Sequence, residues 1–155
     1  MTTKTKQAKL PTNAFQSEIL ERISKARTNA KKVELLTENR NNALVSLLIW
    51  NFDDTVLSTL PAGRPPFKPN EAPAGTEHTS LRQEFKHLYN FVKGGNDSLN
   101  SLRRETMFVQ ILETLHPDEA DILCLVKDKK LQEKYKLTRS VVETAYPDIQ
   151  WGGRS

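Results

Sequence analysis

Five of the eight prolines fall between positions 60 and 80, in the run LPAGRPPFKPNEAPAGTEHTS, together with two of the six glycines. Ring-locked φ angles and missing N–H donors forbid both a helix and a central strand over such a stretch. The chain must therefore form its regular structure on either side of a long ordered loop or an exposed arm.

What flanks the run reads as helix. Phe15, Ile19, Ile23 and Ala26 recur at helical spacing with charged residues between them, and Asn13 is a competent N-cap. Val33, Leu35 and Leu36 open a second stretch that reaches Leu44, Leu47, Leu48 and Trp50, and a polar break at Asn39, Asn41 and Asn42 makes it either one helix or two short ones. Beyond the proline run, Ser80 with Gln83 forms a capping-box start. Leu81, Phe85, Leu88, Tyr89 and Val92 then supply a stripe that ends at Gly94 and Gly95. Leu99, Leu102, Phe108, Ile111, Leu112 and Leu115 mark a longer helix, which Pro117 stops while starting the next. Asp118, Glu119 and Asp121 suit the positive end of that next helix, whose buried face is Ile122, Leu123, Leu125 and Val126. The segment KDKKLQEKYK reads as solvated apart from Leu131 and Tyr135, and Thr138 caps a last helix that Pro147 terminates.

No strand pattern and no internal repeat is visible. The expectation is an all-α assembly of five to seven short helices, with one helical domain over 13–150, the Pro-rich loop at 60–80 inside it, and a flexible basic tail over 1–12. A chain of 155 residues is long enough to bury roughly 70% of its unfolded surface around one core. The longest apolar stretch, 43–50, falls far short of the roughly 20 residues a membrane span needs, and no secretory signal is read at the N-terminus. A protein that stays where it is made, with no membrane partner, is expected.

The segments LLIWNFDDTVLSTLPAGRPPFKPN, LYNFVKGGNDSLNSLRRETMFVQILETLHPDEADILCLVKDKKL and LTRSVVETAYPDI together resemble a family of uncharacterised proteins from large contractile-tailed phages, notably those of marine cyanobacteria. The resemblance spans about residues 31–149 and is most specific at Leu102-Arg103-Arg104-Glu105 and from Leu115-His116-Pro117 to Lys130. It implies a virus-encoded protein of the host bacterial cytoplasm or the virion, and implies no activity.

Catalysis finds little foothold in the residues. His78, His87 and His116 are scattered, with no His-Glu pair on one helical face, and His116 reads as a helix-terminus residue rather than a ligand. Cys124, the one cysteine, sits among Leu123, Leu125 and Val126 as a buried thiol. Gly94-Gly95 and Gly152-Gly153 lack the strand and lysine of a phosphate-binding loop, and Asp53/Asp54 and Asp118/Glu119 have capping explanations. A non-enzymatic protein without cofactor or metal is expected.

Two binding readings remain. A protein-interaction module would use the stiff Arg64-Pro65-Pro66-Phe67-Lys68-Pro69 segment, with Phe67 either exposed or folded back onto the helices. Arg103 and Arg104 would then either join that surface or pair internally with Glu84 or Glu105. A nucleic-acid-binding protein would instead use Arg22, Lys25, Arg27, Lys31 and Lys32 with Lys127, Lys129, Lys130, Lys134, Lys136 and Arg139. Residues 1–40 hold nine Lys/Arg against four Glu, whereas 41–155 hold fourteen against fifteen acids, so the excess charge is N-terminal. A helix-turn-helix drawn with Thr138, Arg139 and Ser140 at the recognition helix fails on its connection, about ten residues without glycine. The interaction reading, with a host or phage protein as partner, leads.

Overall fold

The computed structural model describes residues 10, 11, 14–73 and 78–154. The Asn13 cap and most of the expected basic tail lie outside the described residues. Among the described residues the fold is all-α. Its eight α-helices are α1 (Gln16–Ser24), α2 (Asn29–Glu38), α3 (Asn42–Phe52), α4 (Leu81–Glu84), α5 (Ser101–Thr114), α6 (Pro117–Lys127), α7 (Leu131–Tyr135) and α8 (Arg139–Ala145), and a 3-10 helix over Phe85–Phe91 follows α4.

Local chemistry explains most boundaries. Thr28, Asn41, Asn100 and Thr138 each accept a hydrogen bond from the third residue onward, the N-cap arrangement that starts α2, α3, α5 and α8. Asn41 thus resolves the second apolar stretch into two helices. Pro117 occupies the first turn of α6, where His116 Nδ1 accepts from the Asp118 N–H at 3.1 Å. The central layer is α3 and α6, which pack on each other and bury side chains around most of their circumference. α1, α5 and α7 pack around α6, and α2 packs against α8.

The stripe after the proline run is the main departure from expectation. Ser80 makes no side-chain cap, and the helix tightens after one turn from α to 3-10. At three residues per turn, Phe85, Leu88 and Phe91 align on one side. Leu88 and Phe91 are consequently buried, Asn90 turns inward, and Tyr89, assigned to the apolar stripe by a 3.6-residue period, faces solvent. Gly95 closes this segment against the Tyr89 carbonyl, where any Cβ would collide with the oxygen. The charged 127–139 segment also departs in part, because it contains α7 and buries Lys127, while Lys130, Lys134 and Lys136 stay exposed.

The missing cap at α4 is supplied from elsewhere. Glu119, fully buried on α6, accepts from the Gln16 N–H at the start of α1 (2.7 Å) and from the Leu81 N–H at the start of α4 (2.9 Å). Burial pushes its carboxyl above the ordinary carboxylate range, although the two N–H donors and nearby Arg82 pull the other way. Replacing it leaves two buried donors without acceptors, so Glu119→Ala should lose about 2–5 kcal/mol of stability in urea unfolding. A raised native pKa means the native state holds its proton longer than the unfolded chain. Wild-type stability should thus fall as pH rises from about 4.3 through the raised value, a slope that the alanine variant lacks.

Candidate functional site

The Pro-rich segment is a strap held against α5 and α6. It leaves the helical layer through two bonds that pair it with the residues after the 3-10 helix, Thr59 N–H to Phe91 O (2.9 Å) and Lys93 N–H to Leu57 O (2.8 Å). Lys127 Nζ donates to Pro61 O (2.8 Å), the Gly63 N–H to Asp128 (3.0 Å), Arg64 to Asp121 (3.1 Å) and the Lys68 N–H to Glu113 (2.8 Å). Gly63 turns the chain at φ +91°, a conformation that favours glycine. Four of the residues between 61 and 69 are prolines without an N–H, and two of the N–H groups that remain are tied to carboxylates. The strap is thereby fixed with few mobile contacts.

Of the two placements considered for Phe67, the structure takes the folded one: it is half-buried, packs against the core and lies under the Arg64 guanidinium, 4.8 Å from the ring centre. Pro65 is half-buried, while Arg64, Pro66, Lys68 and Pro69 are exposed. Between the strap and α5 lies a cleft of about 270 Å³, walled by Leu60, Pro61 and Pro66 on one side and Phe108 and Val109 on the other, with Lys127 and Glu105 as polar groups in its lining. Such a space takes one or two apolar side chains rather than a large cofactor.

Arg103 and Arg104 separate. Arg103 is exposed, but Arg104 is buried and donates to the carbonyls of Asn90 (3.0 Å), Asn96 (3.1 Å) and Leu99 (2.8 Å). It therefore joins the end of the 3-10 helix to the turn before α5, so that for Arg104 neither alternative holds: it is buried away from the surface and meets carbonyls instead of Glu84 or Glu105.

The cations of the nucleic-acid reading do not form one solvated stripe. Lys127 is buried under Pro61, and Lys129 Nζ donates to Trp50 O (2.6 Å) and Asp53 O (2.8 Å) at the end of α3. Burial lowers the Lys129 pKa against the pull of Asp54 and Asp53. Lys25 pairs with Glu21, Lys31 with Glu34, Lys134 with Asp121 and Arg139 with Glu143, while Lys32 donates to the Lys136 carbonyl. Arg27, Lys130 and Lys136 are exposed, and Arg22 is half-buried on α1.

Asp53 and Cys124, two of the groups considered for catalysis, have structural occupations. Asp53 is buried and accepts from the Thr55 N–H and hydroxyl, the Gly152 N–H and Arg154, which fastens the C-terminal segment to the end of α3. Burial opposes its charge, but these donors outweigh burial and hold the carboxyl well below the usual range. Such a group keeps its charge instead of moving a proton. Burial pushes the Cys124 thiol up to about 11, an inert state. No group of three or more His, Cys, Asp or Glu among the described residues could hold a metal, and no helix there is long and apolar enough to cross a membrane.

Two measurements check these assignments. Arg104→Ala should cost about 2 kcal/mol or more, because three carbonyls lose a charged donor, whereas Arg103→Ala should stay within about 0.5 kcal/mol in the same denaturant titration. Asp53→Asn should lose about 2 kcal/mol at neutral pH. Because the native pKa is depressed, that difference should close as pH falls below about 4, where the wild-type carboxylate gives up the same advantage.

No curated protein and no solved structure matches the chain. Residues 19–133 match a family of unknown function, DUF6433, a span that takes in α2 to α6, the strap with its cleft, and Glu119. The chain belongs to this family of unknown function.

Proposed function

We propose that this protein is a non-enzymatic accessory or structural protein of a large contractile-tailed phage, made in the cytoplasm of the infected bacterium, and that it works by binding another protein through the Pro-rich strap. The clamping of the strap is the observation that carries the reading. Four contacts from α5, α6 and Asp128 hold residues 61–68 in place while Pro66, Lys68 and Pro69 stay exposed beside an apolar cleft. A segment ordered before it meets its partner loses little entropy on docking. The distribution of positive charge supports a protein partner over a nucleic acid, because many of the cations are engaged by carboxylates or backbone carbonyls within the fold.

A photo-crosslinking residue at position 68 in infected cells should give one discrete protein adduct. The same residue at exposed position 38 on α2 should not, and Pro66→Ser with Pro69→Ser should abolish the adduct. Identical adducts from both positions, or recovery of the bait alone, would sink the reading. In a gel-shift assay with duplex DNA no retarded band is expected even at low salt, where phosphate binding is strongest.

A further inference from the structure

A second surface lies apart from the strap. Ile49 and Trp50 of α3, Val56 after it, and Phe85 and Leu88 of the 3-10 helix line an open groove of about 290 Å³, and Tyr89 forms its edge. Three large apolar side chains stand exposed among the described residues, and one of them, Tyr89 at 53% exposed, lines this groove. The register change that turns Tyr89 outward is thus a commitment of the fold, since Gly95 packs against that residue's carbonyl and fixes the backbone there. Trp50 is 4% exposed, and its buried Nε1–H has no acceptor among the described residues. Lys86 and Arg154 complete the lining, which contains no carboxylate. Lys86 is exposed and has no ion-pair partner among the described residues, while Arg154 also serves Asp53. An open groove of about 290 Å³ has room for a few apolar side chains. Trp, Tyr and Arg are also the residues that most often carry binding energy in protein interfaces.

We propose that this groove docks a short apolar segment of a partner protein that carries an acidic residue, the apolar side chains filling the space beside Trp50 and Tyr89 and the carboxylate meeting Lys86. The groove shares no lining residue with the strap cleft, so it is a second contact surface and does not depend on the strap.

The test selects a displayed library of short random peptides against the full chain and measures the recovered peptides by calorimetry. Peptides that combine large apolar residues with Asp or Glu are expected. Their affinity should fall about tenfold or more in Tyr89→Ala and in Lys86→Glu. The Pro66→Ser, Pro69→Ser chain should bind them normally, which separates this groove from the strap. Both Tyr89 and Lys86 are exposed, so circular dichroism should find the variants folded, and Lys86→Glu keeps the test decisive if the tyrosine variant is not. No enrichment, enrichment of basic peptides, or affinity unchanged in both variants would overturn the proposal. Concentration-dependent self-association that disappears in Tyr89→Ala would also overturn it, by assigning the groove to a second copy of the chain.

Discussion

The two oxygens of Glu119 join parts of the chain that no local rule brings together. One receives a backbone N–H that lies 103 residues away and the other an N–H 38 residues away. Both donors belong to the first turns of helices, where N–H groups have no partner within the helix. A buried negative charge is costly, and it is tolerated here because it sits at the positive ends of two helix dipoles and accepts from both. α6 therefore acts as the post to which α1 and the start of the α4 segment are tied. The strap rests on the same helix through Lys127 and Asp121.

The same device recurs throughout the molecule. The eight short α-helices among the described residues present many ends for the length of chain they use, and each end leaves unsatisfied backbone groups. Cations close several of the carbonyl ends: Lys129 at α3, Arg104 at the 3-10 helix, and Lys32 at the Lys136 carbonyl that follows α7. Arg82 similarly reaches back to the Ala14 carbonyl before α1. Long side chains with charged tips can bury their stems while the tip donates to oxygens, which makes Lys and Arg effective stitching residues. Two cations of 127–139, Lys127 and Lys129, serve this end by donating to the Pro61, Trp50 and Asp53 carbonyls.

What could be read in the sequence was local. Thr138 and Pro117 act within a few residues of the boundaries they set and both occupy those boundaries, and the polar break at Asn41 is where α3 takes its cap. The proline run excluded regular structure by covalent geometry alone, and no helix or strand forms among its described residues. The choice of 3-10 over α for 85–91 was less legible, because Phe85, Leu88 and Phe91 fit a period of three and Leu81, Phe85, Leu88 and Val92 fit a period near 3.6. Packing selected between them. Glu119 looked like an ordinary first-turn acid, since nothing near it in sequence indicates the donors supplied by Gln16 and Leu81. Arg104 and Lys129 were equally opaque, because a cation destined for a carbonyl has the same local signature as one destined for solvent.

This internal use of charge bears on recognition. A surface that binds polyanions needs several cations free to release counterions together, and their contributions add with each phosphate neutralised. In this fold, cations that could share such a face are separated by their duties: Lys127 and Lys129 turn inward, and Lys134 and Arg139 lean on Asp121 and Glu143. The surface left available for recognition includes apolar and aromatic groups, Tyr89 at one groove and the exposed prolines of the strap at another. Apolar groups of this kind gain free energy when a partner's apolar surface removes them from water. The protein partner proposed above would meet these groups, because several of the cations are already engaged within the fold.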